Sequence, residues 1–176
     1  MKNRDNDKNE YVHLYIALRR RKDNKDGQEL CFRQIIMDDE VDFDNIVNRI
    51  KKVSGVWRIH KTINKRSTKI ATKQLQKKLI DEPELHSSLI SVYKTLLMKP
   101  DAKAERNILI DIDVDDIEYV NKILSAIGSR ESVIYKTPNG YHVVSPLFDT
   151  RLLDGYEVTI QRDGYRFVTS YEVIDE

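Results

Sequence analysis

The spacing of hydrophobic and polar positions changes several times along this chain, and each change marks an element. Val12, Leu14, Ile16 and Leu18 alternate with more polar neighbours, which is the period of a strand. The stretch 22–27, KDNKDG, carries turn chemistry, so residues 30–37 read as the returning partner of a hairpin. Phe43, Ile46, Val47 and Ile50 keep the helical period over 43–50, with Gly55 placed to stop the helix. Residues 56–63, VWRIHKTI, predict a strand leading into a basic helix near Ser67, whose hydroxyl suits an N-cap. In that helix Ala71, Leu75 and Leu79 share one face, and Lys69, Lys73 and Lys77 share another. After Pro83 a further helix is signalled by Leu85, Leu89, Tyr93, Leu96 and Leu97, and it ends before Pro100.

The second half is more sharply patterned. Residues 108–113, ILIDID, alternate strictly: Ile108, Ile110 and Ile112 share one face of a strand, and Leu109, Asp111 and Asp113 the other. A helix follows over 117–128, closed by Gly128. Two hairpins complete the chain, SVIYKTPNGYHVVS turning at Asn139-Gly140 and YEVTIQRDGYRFVTS turning at Asp163-Gly164. The expected class is α/β (α+β), with the ILIDID strand central in a mixed or antiparallel sheet and helix 117–128 on its isoleucine face.

Length and composition narrow the picture further. A chain of 176 residues favours one domain, expected over 11–176 behind a polar, frayed N-terminus at 1–10. The single cysteine, Cys31, cannot make an internal disulfide, and no Cys/His cluster has zinc-site spacing, so a reducing, cytoplasmic setting is expected. No run of about 18 apolar residues offers a membrane span, and the charged start lacks the apolar stretch of a signal peptide. Thirty basic residues against 29 acidic ones give no global argument for nucleic-acid binding. Any such surface must be local.

The candidate chemistry sits in the second half. Carboxylates at i and i+2 on a strand project from the same side, so Asp111 and Asp113 can hold a hydrated Mg²⁺ or Mn²⁺. The alternative is a solvated acidic strand end, with Asp115 and Asp116 capping the next helix. A two-residue Asn139-Gly140 turn would set Thr137 opposite His142 and Lys136 opposite Val143. An imidazole there can orient a triphosphate or a metal-bound water, while the Thr137 hydroxyl and the turn amides donate to phosphate oxygens. The alternative for His142 is an ordinary hydrogen-bonded histidine in a hairpin.

The run ILIDID, a helix, and a hairpin ending in Gly140-Tyr141-His142 resemble the first two motifs of the archaeo-eukaryotic primase superfamily: a strand bearing Asp-x-Asp, then a small-x-His triplet. KTPNGYHVV is particularly similar to the hairpin of its primase-polymerase members. The resemblance covers about a third of the chain, roughly 108–169. It implies a fold related to the RNA-recognition motif, divalent metals on Asp111 and Asp113, and nucleotide contact by His142. It also implies a third acid on a later strand, for which Glu157 is the candidate, with Asp154 and Asp163 as nearby competitors. A family member of this kind would be a nucleotidyltransferase using nucleoside triphosphates, with DNA or RNA as partner and a role in DNA replication. The lack of zinc-binding cysteines and of room for a large accessory domain fits a minimal, phage-like member.

Phosphate contacts are expected from Arg58, Lys136, Thr137, Asn139, Gly140 and Arg151, and nucleic-acid contacts from Lys65, Arg66 and the Lys69/Lys73/Lys77 stripe. Two other classes remain. A non-catalytic RNA-recognition-like module would stack bases on aromatics, but ILIDID puts carboxylates where the rings should be. A phosphoesterase with two His-x-Thr/Ser elements is suggested by His60-Lys61-Thr62, although His142-Val143-Val144 does not supply the second.

Overall fold

A computed structural model describes residues 10–37, 44–128 and 131–174. The expected frayed segment 1–10 lies outside these residues except for Glu10, and so does Phe43. The fold is α+β, built on two antiparallel sheets.

The first hairpin forms as its alternation and turn residues predict: β1 (Tyr11–Arg19) pairs with β2 (Leu30–Met37), from Val12 opposite Met37 to Arg19 opposite Leu30. β3 (Gly55–Thr62) lies on the other side of β1, and the short β4 (Arg66–Ser67) pairs with the start of β1. Both faces of β1 are covered. α1 (Asp44–Ile50) packs over Tyr15, Ala17, Trp57 and Ile59. α2 (Thr68–Asp81) and α3 (Leu89–Leu97) pack over Val12 and Leu14. Burial of these side chains against three helices supplies the main driving force for this half of the fold.

Local signals at the helix ends are mostly realised. Ser67 caps α2 by accepting from the Ile70 N–H at 3.4 Å. The predicted helix after Pro83 starts as a 3₁₀ segment, Pro83–Ser88, before continuing as α3. Gly55 does not stop α1, which ends at Ile50; instead it opens β3 with φ 120°. A Cβ there would lie 2.2 Å from Asn24 Oδ1, so its freedom serves a close approach to the β1–β2 connection.

The second sheet holds β5 (Ile108–Ile112), β6 (Val133–Lys136), β7 (Tyr141–Ser145) and β8 (Thr159–Gln161), in the order β6-β7-β5-β8. The ILIDID strand is therefore internal, as its pattern predicts. α4 (Ile117–Ile127) buries Val120, Ile123 and Ile127 against Ile108, Ile110 and Ile112. Asp116 caps it by accepting from Glu118 N at 2.8 Å and Tyr119 N at 3.3 Å, and Gly128 closes it at φ 64°.

Two sequence expectations are corrected. YEVTIQRDGYRFVTS is not a hairpin: β8 pairs with β5, whereas β9 (Tyr165–Val173) pairs with β3 in the first sheet. Asp163 and Gly164 carry the chain between the sheets. Asp163 is held there by the buried Arg66 guanidinium, and Gly164 O accepts from Ile63 N at 3.1 Å. The other hairpin has a four-residue connection, 137–140, so Lys136 faces Tyr141 and Tyr135, not Thr137, faces His142. Thr137 closes the loop on itself: its N–H donates to Gly140 O at 2.9 Å and its Oγ1 accepts from Gly140 N at 3.0 Å.

Candidate functional site

The face of β5 opposite α4 carries Leu109 and Asp111, and it is turned toward the first sheet. Between the two sheets lies a cavity of about 370 Å³. Ile16, Leu18, Arg58 and His60 of the first sheet line one wall, and Leu109, Asp111 and His142 of the second line the other. Asp113, just past the end of β5, lies at the same cavity with Thr137, Pro138 and Asn139 of the β6–β7 connection.

Asp111 and His142 are directly opposite on β5 and β7, and His142 Nε2 is 3.2 Å from Asp111 Oδ1. The Phe167 backbone N–H donates to His142 Nδ1 at 2.9 Å. Since Nδ1 accepts, the neutral ring carries its proton on Nε2 and donates it to the carboxylate. His142 is buried, Asp111 is half-buried, and Asp113 is exposed at the cavity. Gly140 lets the connection approach: a Cβ there would fall 2.0 Å from Ile112 O, between the two carboxylate-bearing positions.

The opposite wall is cationic but partly engaged. Arg58 Nε lies 2.9 Å from Asp23 Oδ2, and Arg20 Nε is 2.8 Å from the same oxygen. Burial works against ionisation of Asp23, but these two guanidinium groups hold its carboxyl below the usual range. Lys22, exposed at the rim, makes no ion pair among the described residues. His60 Nδ1 is buried with no hydrogen-bond partner among the described residues. Burial first, helped by the charges of Arg20 and Arg58, pushes the His60 pKa down to about 4, so it is neutral near pH 7.

Of the residues singled out in the sequence, Asp111, Asp113, His142, Thr137, Asn139 and Arg58 line this cavity. The others do not. Lys136 pairs with Asp115 and lies over the Tyr141 ring, 4.3 Å from its centroid. Gly140 contributes buried backbone behind the lining. Glu157 precedes β8, is exposed, and its N–H donates to Tyr119 Oη at 2.8 Å. Arg151 sits in the 3₁₀ turn Thr150–Leu153, paired with Asp149. Arg66 is fully buried against Asp163, which removes it from any nucleic-acid surface. Lys65 is half-buried beside Glu105, which accepts from its N–H at 3.4 Å. Lys69 pairs with Glu10 at 3.2 Å, while Lys73 and Lys77 are exposed along α2.

Sequence reasoning missed Arg20, Lys22, Gln161, Tyr165 and Phe167 as lining residues. They come from the β1–β2 connection, β8 and the start of β9, which meet only because the two sheets face each other. His60 was singled out in the sequence only as part of His60-Lys61-Thr62, and nothing local showed what it faces.

Asp111 and Asp113 at one cavity suit Mg²⁺ or Mn²⁺, which are commonly held by one or two carboxylates, waters and substrate phosphates. Among the described residues no group of three His, Cys, Asp or Glu side chains is arranged to hold a metal ion by itself. No helix among the described residues is long and apolar enough to cross a membrane. No protein-family model matches the chain, and no curated protein or solved structure matches it.

Proposed function

We propose that the protein binds a nucleoside triphosphate with a divalent cation between its two sheets and acts as a nucleotidyltransferase of the primase-polymerase kind. The observation that supports this reading is the convergence of Asp111, Asp113, His142, Thr137, Asn139 and Arg58 on one cavity. Asp111 and Asp113 would hold Mg²⁺ or Mn²⁺, which neutralises phosphate charge and favours attack by a hydroxyl. Lys22 and Arg58 would meet phosphate oxygens, and Thr137 and Asn139 would add neutral contacts. His142 keeps Asp111 oriented through its Nε2–H, a positioning role. DNA or RNA would supply the hydroxyl.

A second reading, nucleotide binding without turnover, is favoured by the position of Glu157 outside the cavity lining, since among the described residues no third acid then joins the pair. One experiment separates the readings. Melting temperature is measured with Mn²⁺ and a triphosphate, and primer synthesis, primer extension and triphosphate hydrolysis are assayed in parallel. The transferase reading expects a metal-dependent rise in melting temperature, lost in Asp111→Asn/Asp113→Asn, and extension that disappears in Asp113→Ala. A shift without turnover in any assay would leave the binding reading. Turnover that persists in Asp113→Ala would remove the carboxylate pair from the chemistry.

A further inference from the structure

Ile16, Leu18 and Arg20 continue the alternation of β1 along the cavity wall, because the backbone at Arg20 is still extended, with φ −90° and ψ 142°. Leu18 pairs with Arg58 on β3, so the two arginines reach the same wall from neighbouring strands. Past Arg20 the chain turns back through the 3₁₀ segment Arg21–Asp23, which sets Asp23 beside both. Asn24 fastens this turn to β3. Its Oδ1 accepts from Val56 N at 2.8 Å, and its Nδ2 donates to Val56 O at 3.2 Å and to Arg20 O at 2.9 Å.

Asp23 grips each guanidinium side-on. Arg58 Nε and Nη2 lie 2.9 and 3.1 Å from Asp23 Oδ2 and Oδ1, and Arg20 Nε and Nη2 lie 2.8 and 3.4 Å from the same two oxygens. A side-on fork uses only part of a guanidinium's N–H donors and leaves those of the outer edge turned away from the carboxylate. Arg20 and Arg58 line the cavity and Asp23 does not, which puts the carboxylate behind the pair. After burial, the charges of Arg20 and Arg58 add to the depression of the His60 pKa, so their field reaches a ring on the same wall. The link between turn and β3 is already made by Asn24, so a tether does not by itself account for two arginines on one carboxylate. Side chains immobilised beforehand lose little further freedom on binding, and an open guanidinium edge matches two phosphate oxygens at once. Two such edges on one anchor suit two linked phosphates, whereas a monophosphate fills only one.

We propose that Arg20 and Arg58, set by Asp23, form a two-guanidinium clamp for the linked phosphates of the nucleotide, which selects di- and triphosphates over monophosphates. The proposal rests on the reading that this cavity takes a nucleotide; to that reading it adds Arg20 as a binding residue and Asp23 as a positioning residue. Asp111 belongs to the opposite wall, so clamp and carboxylates act on the phosphate chain from two sides.

The test is isothermal titration calorimetry on the full chain. Inorganic tripolyphosphate and phosphate are titrated without metal into Asp111→Asn/Asp113→Asn, where neither a metal nor the carboxylates that repel anions contribute. ATP with Mn²⁺ is titrated into protein with both aspartates intact. Tripolyphosphate is expected to bind at least about tenfold more tightly than phosphate, and Arg20→Gln or Arg58→Gln to weaken it about tenfold, as for a lost charge-assisted contact. Both should also weaken ATP, and Lys73→Gln on α2 should change nothing. Asp23→Asn removes the anchor but keeps both cations: charge attraction alone would tighten tripolyphosphate binding, whereas a preset clamp weakens it at least about threefold, through the freedom regained by the side chains. Where these variants melt early, Arg20→Lys/Arg58→Lys keeps both charges beside Asp23 without the planar forks, and should still lose the preference for tripolyphosphate. Equal binding of tripolyphosphate and phosphate, or tripolyphosphate binding that survives the glutamine variants, overturns the clamp even where Mn²⁺-dependent ATP binding is intact. Tighter binding in Asp23→Asn overturns the positioning role. Arginine-dependent tripolyphosphate binding with no Mn²⁺-dependent response to ATP upholds the clamp and removes the metal-nucleotide reading instead.

Discussion

His142 and Phe167 tie the two sheets together: the imidazole Nδ1 on β7 accepts the Phe167 backbone N–H on β9 at 2.9 Å. Because Nε2 reaches Asp111 at 3.2 Å, one ring links the carboxylate of the candidate site to the wall facing it. A change in how the sheets sit is therefore felt at Asp111.

His142→Ala should act on both stability and ligand response. It leaves the half-buried Phe167 N–H without its acceptor; a fully buried orphaned donor costs about 1–3 kcal/mol, and this one is expected toward the low end. Denaturant unfolding is expected to show a loss of that order, together with a smaller metal-and-triphosphate shift in melting temperature. Wild-type stability in the variant would mean that the two sheets do not depend on this contact.

The pH dependence of stability should carry the signature of His60. Its pKa in the folded protein is pushed from the ordinary 6.5 down to about 4, so between these values the unfolded chain binds more protons than the folded one. Stability must then rise with pH across that window and fall as pH drops through it, by at most about 3 kcal/mol. His60→Gln is expected to flatten this part of the profile, measured by urea unfolding at several pH values. A wild-type profile already flat from pH 6.5 to about 4 would contradict the burial of a neutral ring here.

Gly140→Ala tests how closely the β6–β7 connection must approach β5. The added methyl would meet Ile112 O at 2.0 Å, a backbone atom that cannot step aside. Overpacking of this kind costs typically about 1–3 kcal/mol, and the displaced connection should weaken nucleotide binding as well. Calorimetric melting and a metal-dependent thermal shift would measure the two effects. A fully stable, fully responsive variant would mean that the connection relaxes without moving the site.

Arg66→Ala distinguishes a structural cation from a nucleic-acid contact. The guanidinium is fully buried against Asp163, which holds the crossing between β8 and β9. Removing one partner of a fully buried pair typically costs about 3–5 kcal/mol, and Asp163, half-buried with Lys103 Nζ 4.0 Å away, keeps the loss toward the lower end. Urea unfolding should show a loss approaching that range, and fluorescence anisotropy of a labelled oligonucleotide with folded protein should show an unaltered salt slope. A stable variant with a reduced slope would return Arg66 to the nucleic-acid surface.

The sequence by itself determined the elements whose signals are local. The ILIDID alternation, the Asp116 and Gly128 caps, the Ser67 cap and the β1–β2 turn chemistry each depend on neighbours a few residues away, and each is realised. The β6–β7 register is off by two residues, Tyr135 instead of Thr137 opposite His142, so the face of β6 that meets His142 is kept, while the pairing of His142 with Asp111 on β5 is a long-range contact that the structure supplies. Only the tertiary structure decided that β8 and β9 part company. A Asp-Gly turn between two alternating runs is a hairpin signal, and only the long-range pairings of β8 with β5 and β9 with β3 override it. The second wall of the cavity follows from the same event. Arg58, His60 and Phe167 reach Asp111 because two sheets face each other, and the preference of one sheet face for another is a property of packed surfaces, with no period along the chain to record it.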